Sequence, residues 1–132
     1  MPLGVGAYIM ACILVIEDDI DFGDMLREVL EQAGFTVESA GNGNEGLARM
    51  AEHPCEVVIT DMLMPEKEGF ETILELKRLK PGVKIIAISG GGRSGRADEL
   101  LRHAKVFGAH HVMSKPIVMK DLVELARKLM PA

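Results

Sequence analysis

The sequence predicts an α/β fold, a parallel sheet covered by helices on both faces. Five apolar runs rich in β-branched residues each precede a stretch with helical spacing of apolar residues, and the links between them are short. At 132 residues the chain is long enough for one well-formed core and too short for two. We therefore expect a single domain from residue 11 to residue 132, preceded by an N-terminal extension over residues 1–10.

The first two strand–helix units have the clearest pattern. "ACILVIE" (11–17) is a continuous apolar run that ends in acids, which is typical of a strand buried on both faces. The helix that follows has a stripe from Phe22 to Ala33, and Gly34 lies where a C-terminal cap belongs. "FTVESA" (35–40) is more polar and predicts an edge strand, and 44–52 predict a short helix.

The last three units follow the same pattern. "EVVIT" (56–60) predicts a third strand closed by Asp61, and the third helix ends before Pro81-Gly82. "VKIIAIS" (83–89) predicts the fourth strand, and its helix ends at Gly108. "HHVMS" (110–114) predicts a short fifth strand, and the last helix has an apolar stripe of Met119, Leu122, Val123, Ala126 and Met130.

Composition excludes several classes of protein. The net charge is −5 and no basic run is present, which argues against nucleic acid or an anionic membrane as a partner. No apolar stretch approaches the roughly 18 residues of a membrane span, and the uncharged leader lacks the basic start of a secretory signal. Cys12 and Cys55 are too few for a disulfide framework. We expect them to be buried free thiols near the same level of the sheet, close but not bonded, in a cytoplasmic protein.

Polar side chains stand at the ends of the predicted strands. Strand one ends in Glu17-Asp18-Asp19, strand three in Asp61, strand four in Ser89, and strand five in Ser114-Lys115-Pro116. In a parallel sheet these ends share one edge, where ligands of such folds bind. Converging carboxylates repel one another unless a cation lies between them, and an oxygen-only ligand set suits Mg²⁺. A metal, a lysine and a hydroxyl are together suited to a phosphoryl group.

At these residues the chain resembles the receiver domain of two-component response regulators. The matching pieces are "ILVIEDD", "VVITDMLMPEKEG", "IIAIS" and "MSKP", in that order, over residues 11 to about 130. The resemblance implies a flavodoxin-like (βα)5 fold with strand order 2-1-3-4-5. It also implies a stand-alone receiver, since only Pro131-Ala132 follow the last helix. We expect a cytoplasmic phosphoacceptor that is not an enzyme but assists its own phosphorylation and dephosphorylation.

The resemblance also assigns roles to residues. Asp61 becomes the phosphoacceptor, served by a histidine kinase or a histidine phosphotransfer protein, with a downstream protein target. Glu17 and Asp18 become the acid pair that binds Mg²⁺, completed by Asp61 and the carbonyl of Leu63. Ser89 takes the switch hydroxyl position, and Lys115 the invariant lysine, followed by a cis bond to Pro116. Asp19 is expected to be a bystander, and the oligomeric state is not determined by the sequence.

Two departures from the family pattern bear on signalling. Val112 occupies the position where the family usually has an aromatic residue whose ring moves inward on phosphorylation. The segment after Ser89 is longer than usual and glycine-rich, so residues 90–96 are expected to carry the switch, with Arg93 or Arg96 reaching the acyl phosphate or a partner.

Two alternative functions stay open at this point. Gly90, Gly92 and Gly95 fit G-x-G-x-x-G, the fingerprint of a dinucleotide-binding enzyme, although the acid that should follow the next strand is missing. A degenerate receiver that acts only as an interaction module is favoured by Val112, although its acids and Lys115 are intact. His110 and His111 are not expected to bind a metal, because adjacent strand residues point to opposite faces.

Overall fold

The computed structural model describes residues 12–62, 69–90 and 96–131, and these form an alternating α/β fold. The strands are β1 (Cys12–Ile16), β2 (Thr36–Ala40), β3 (Val57–Asp61), β4 (Lys84–Ser89) and β5 (His111–Ser114). The helices are α1 (Ile20–Gln32), α2 (Gly43–Glu52), α3 (Gly69–Leu79), α4 (Arg96–Phe107) and α5 (Met119–Leu129). The predicted strands and helices are all present, with bounds shifted by a residue or two.

The five strands form one parallel sheet in the order β2-β1-β3-β4-β5, as the resemblance implied. The more polar β2 lies at an edge, which confirms the prediction from its composition. The central β1 and β3 are buried along their whole length, because helices cover both of their faces.

The sheet separates two apolar cores. One face packs beneath α2, α3 and α4, and its buried residues include Leu14, Ile16, Met50 and Ile73. The other packs beneath α1 and α5, with Leu26, Leu30, Ile59 and Leu122. Within the described ranges, no helix has the length and apolar composition to cross a bilayer.

Glycine has a steric role at two positions near this framework. Gly34 ends α1 with φ +102°, a left-handed conformation that side chains disfavour, and this confirms the predicted cap. Gly46 in α2 lies against Ile16, and a Cβ there would collide with the Ile16 side chain. Glycine therefore lets α2 pack close to the end of β1, immediately before Glu17.

The prediction of two free thiols is wrong, because the structure joins Cys12 and Cys55 in a disulfide. The parallel pairing of β1 with β3 brings the two Cα atoms to 4.8 Å, within the range that a disulfide spans. The expected proximity was right, and the inference that the thiols stay apart was not. Disulfides are rare in cytosolic proteins. This bond therefore does not support the cytoplasmic location, which stays a prediction.

Several sequence-based predictions concern residues outside the described ranges. These are the extension over 1–10, Leu63, residues 91–95 with Gly92 and Gly95 of the glycine fingerprint, and the side chains of Arg93 and Arg96.

Candidate functional site

The candidate site lies at the carboxyl edge of the sheet, where four strands end. Glu17 directly follows β1, Asp61 is the last residue of β3, Ser89 is the last of β4, and Lys115 follows β5. Three of these side chains are in contact: Nζ of Lys115 lies 3.2 Å from Oε1 of Glu17 and 3.5 Å from Oδ2 of Asp61. Parallel pairing thus brings together residues that the sequence separates widely.

Three carboxylates form the acidic part of the site. One oxygen each from Glu17, Asp18 and Asp61 lie within 4.8 Å of one another, and within the described part of the chain this is the one group of three or more side chains that could hold a metal ion. Glu17 and Asp61 are only 5% and 3% exposed, whereas Asp18 is open to solvent. This set fits Mg²⁺, because hard carboxylate oxygens on one side leave the solvent side for the waters that Mg²⁺ retains.

The pKa of Glu17 is raised to about 7 from its ordinary 4.5. Burial is the largest cause, and the nearby charge of Asp61 adds to it; the Asp19 amide and Lys115 act in the opposite direction. The protein alone therefore does not fully stabilise two adjacent buried carboxylates, and a bound cation would.

Lys115 supplies the positive charge in the site. Burial lowers its pKa, but the carboxylates of Asp61 and Glu17 outweigh that effect, so the pKa of Lys115 lies above its ordinary value. The ammonium group therefore keeps its charge beside Asp61, where it can neutralise an anionic group attached to that carboxylate.

Ser89 adds a hydroxyl with unused bonding capacity. The residue is completely buried, and its Oγ has no hydrogen-bond partner among the described residues. A buried hydroxyl without a partner costs free energy, so its presence at a strand end points to a ligand that accepts its hydrogen. The backbone carbonyl of Ser89 also accepts the Lys115 N–H at 2.8 Å.

The turn after β1 organises the acidic side of the site. The Asp19 N–H donates to Oε2 of Glu17 at 3.1 Å, and Oδ1 of Asp19 accepts the Phe22 N–H at 3.1 Å as the N-cap of α1. Asp19 lies outside the group of three potential metal ligands, but it is not a mere bystander. Its side chain caps the N-terminus of α1, the helix that contains Phe22.

Phe22 is the residue of this site that sequence reasoning missed. Nζ of Lys115 lies 4.3 Å from the centroid of the Phe22 ring. In the sequence Phe22 belongs to the apolar stripe of a helix, and nothing in that pattern links it to a lysine far along the chain. The signal that could have found it is that Phe22 follows the acid pair closely in the sequence.

Two further predictions can be compared with the structure. The Lys115–Pro116 peptide bond is cis, as the resemblance implied. His110 and His111 have different surroundings: His110 Nδ1 accepts the Ile85 N–H at 3.1 Å, while His111 is exposed.

Val112 occupies the position where the family usually has an aromatic residue. It pairs with Ala87 across β4 and β5 and is partly buried against the core.

Comparison with known proteins decides the family. The family model described as "Response regulator receiver domain" matches residues 13–127. This chain belongs to the response regulator receiver family. Its receiver domain therefore places it among the proteins of two-component signalling, and the dinucleotide-binding alternative is not supported.

Individual relatives agree with this assignment. The receiver is 34% identical to the response regulator receiver protein CpdR of Brucella abortus, over 93% of this chain and 99% of CpdR. It is 29% identical to chemotaxis protein CheY of Thermotoga maritima, over 89% and 95%. It spans only 45% of the length of a receiver protein from Anaeromyxobacter sp., at 33% identity over 85% of this chain.

A solved structure has the same fold. A response regulator receiver domain protein of Clostridium thermocellum matches with a TM-score of 0.81 and 30% identity, over 91% of this chain and 94% of that one.

Proposed function

We propose that Asp61 accepts a phosphoryl group from the phosphohistidine of a histidine kinase or phosphotransfer protein, in a Mg²⁺-dependent reaction. The observation that carries this proposal is the contact of one lysine ammonium with two buried carboxylates, Lys115 with Glu17 and Asp61. Burial and a fixed counter-charge are what a carboxylate nucleophile needs next to an anionic donor.

The transfer forms one bond and breaks one. A carboxylate oxygen of Asp61 attacks the phosphorus, the P–N bond of phosphohistidine breaks, and the electron pair of that bond leaves with the imidazole. The product on this chain is an acyl phosphate. Hydrolysis by water later returns the Asp61 carboxylate and inorganic phosphate.

The chain's own residues stabilise the charge that moves. Lys115 donates to a phosphoryl oxygen while staying close to Asp61, and Oγ of Ser89 donates the hydrogen that has no partner among the described residues. Glu17, Asp18 and Asp61 would hold Mg²⁺, together with the Leu63 carbonyl that the family resemblance adds. When bound, the ion neutralises the phosphoryl oxygens and lowers the repulsion between donor and carboxylate.

The receiver would then pass its state to a downstream protein. This part of the proposal rests on the family, whose members signal through protein partners.

The test is incubation with Mg²⁺ and phosphoramidate, a small donor with a P–N bond, followed by intact-mass spectrometry. We expect a gain of one phosphoryl group that disappears in EDTA and in Asp61→Asn. Asp121→Asn is the matched control, because Asp121 is an exposed acid in the first turn of α5. A gain that survives in Asp61→Asn would contradict the proposed acceptor.

A second candidate function is a phosphorylation-independent interaction module, and the observation that favours it is Val112 in place of the family's aromatic residue. It predicts no phosphoryl gain under the same conditions and partner binding that is unchanged by Asp61→Asn. The contacts of Lys115 with two buried carboxylates favour the first candidate.

A further inference from the structure

Lys115 has a third neighbour besides the two carboxylates. Its Nζ lies 4.3 Å from the centroid of the Phe22 ring, well within the roughly 6 Å at which a cation is attracted to a ring face. The lysine side chain is 25% exposed, so this contact is partly shielded from water. Shielding strengthens the attraction between an ammonium group and the ring quadrupole.

The ring is held in place by the same turn that carries the acids. Asp19 caps α1 by accepting the Phe22 N–H, and the Asp19 N–H donates to Glu17. The half-buried Phe22 side chain also packs against the core under α1 and α5. A closed circuit of contacts results, from Glu17 through Asp19 and Phe22 to Lys115 and back to Glu17.

A ring face attracts the ammonium group mainly through its charge. Lysine has three N–H donors, and two can point to Oε1 of Glu17 and Oδ2 of Asp61. Because an N–H···π contact is much weaker than a hydrogen bond to an anionic oxygen, the third donor stays available for an incoming phosphoryl oxygen.

We propose that Phe22 is a positioning residue for Lys115: its ring face holds the ammonium group beside Asp61 so that one N–H can meet the incoming phosphoryl group. The inference rests on the proposed function. Phe22 acts through Lys115 and does not itself contact the reacting atoms.

The test weakens the ring face without changing the size of the side chain much. Phe22 is replaced site-specifically by 4-fluoro- and then 3,4,5-trifluorophenylalanine, which withdraw electrons from the ring. The initial rate of phosphorylation by phosphoramidate is measured at fixed Mg²⁺. We expect a stepwise fall that reaches about two- to fivefold in the trifluoro protein, the fold-change that an ordinary cation–π contact corresponds to.

Phe35 provides the matched control. It also packs against the core under α1 and α5 and has a cation near its ring, Arg127 at 5.8 Å from the centroid, but it lies outside the candidate site. The same fluorination at Phe35 should leave the rate unchanged. Phe22→Tyr should keep most of the rate because it keeps a ring, whereas Phe22→Leu should lose it by a similar factor while remaining folded by circular dichroism.

A second readout is independent of phosphorylation. In the resting protein, NMR should show the Lys115 Hε protons shifted upfield by the Phe22 ring current, and Phe22→Leu should abolish that shift. If the wild-type protein takes up no phosphoryl group, the proposed function fails, and the positioning role fails with it, whereas the shift still reports whether the contact exists. A normal upfield shift with a rate insensitive to fluorination would leave Phe22 a packing residue and overturn the proposal.

Discussion

Lys115 and Glu17 are 98 residues apart in the chain, and Nζ of Lys115 lies 3.2 Å from Oε1 of Glu17. This contact exists because β1 and β5 belong to one parallel sheet whose strands end at the same edge. Glu17 is shared between Lys115 and the Asp19 amide, and its pKa is raised chiefly by burial and further by the nearby charge of Asp61. The protonation state of Glu17 should therefore respond to changes at Lys115, Asp19 or Asp61.

The contribution of Glu17 to stability in Mg²⁺-free buffer should fall as the pH rises from about 4.5 to about 7. The pKa of Glu17 is raised from 4.5 to about 7, so in this range the folded protein holds a proton that the unfolded chain has released. Urea titrations at several pH values would measure this. Glu17→Gln should remove this negative contribution and so make the slope of stability against pH more positive, whereas Glu28→Gln, at an exposed position in α1, should leave the slope unchanged. The assignment would be wrong if both variants kept the wild-type slope.

Ser89→Ala should leave the stability of the resting protein unchanged or raise it by up to about 1 kcal/mol, because it removes a buried hydroxyl whose oxygen has no partner among the described residues. The phosphoryl mimic beryllofluoride, added with Mg²⁺, should stabilise this variant less than the wild type, by about 1–3 kcal/mol. Thermal melts with and without the mimic provide the comparison. Ser114→Ala, at the exposed neighbouring position on β5, is the control. Equal stabilisation in all three proteins would argue against the switch role of Ser89.

Reduction of the Cys12–Cys55 disulfide should lower the free energy of unfolding by about 2–4 kcal/mol. The bond joins residues 43 positions apart, and opening it enlarges the conformational freedom of the unfolded chain. Urea unfolding with and without a reducing agent measures the difference, and a Cys12→Ala, Cys55→Ala double variant should not respond to the reducing agent. Thiol titration of the denatured, unreduced protein should find no free thiols; finding two would show that Cys12 and Cys55 are not bonded.

Acid should loosen the junction between β4 and β5 through His110. Its Nδ1 accepts the Ile85 N–H at 3.1 Å, which requires that nitrogen to be unprotonated. Burial, followed by the charges of Lys77, Lys84 and His111, lowers the pKa of His110 below 6.5. The contribution to stability is thus complete above pH 6.5 and is lost as the pH falls through the lowered value. Hydrogen exchange of the Ile85 amide, corrected for intrinsic rates, should accelerate there, and His110→Asn should remove this pH dependence. The exposed His103 offers the control His103→Asn, which should preserve it.

The succession of strands and helices along the chain could be predicted because it depends on local sequence pattern. The apolar run at 12–16, the glycine after α1 and the acid that ends β3 each reflect a short stretch of sequence in which burial or backbone geometry limits the residue type. The candidate site could be predicted for the same reason. Parallel strands carry their last residues to one edge, so Glu17, Asp61, Ser89 and Lys115 could be placed together without knowledge of distances.

Pairwise contacts across the sheet were decided by the tertiary structure. Composition favoured free thiols, yet the pairing of β1 with β3 brings Cys12 and Cys55 to bonding distance. Likewise, the apolar stripe of α1 accounts for a buried ring at Phe22 but does not indicate which side chain lies over it. Only the tertiary structure, in which the chain after β5 passes close to α1, places Lys115 over the Phe22 ring. The periodicity of a sequence determines which residues are buried. Which buried groups meet depends on strand order and on the distance between neighbouring strands, and these arise when the sheet assembles.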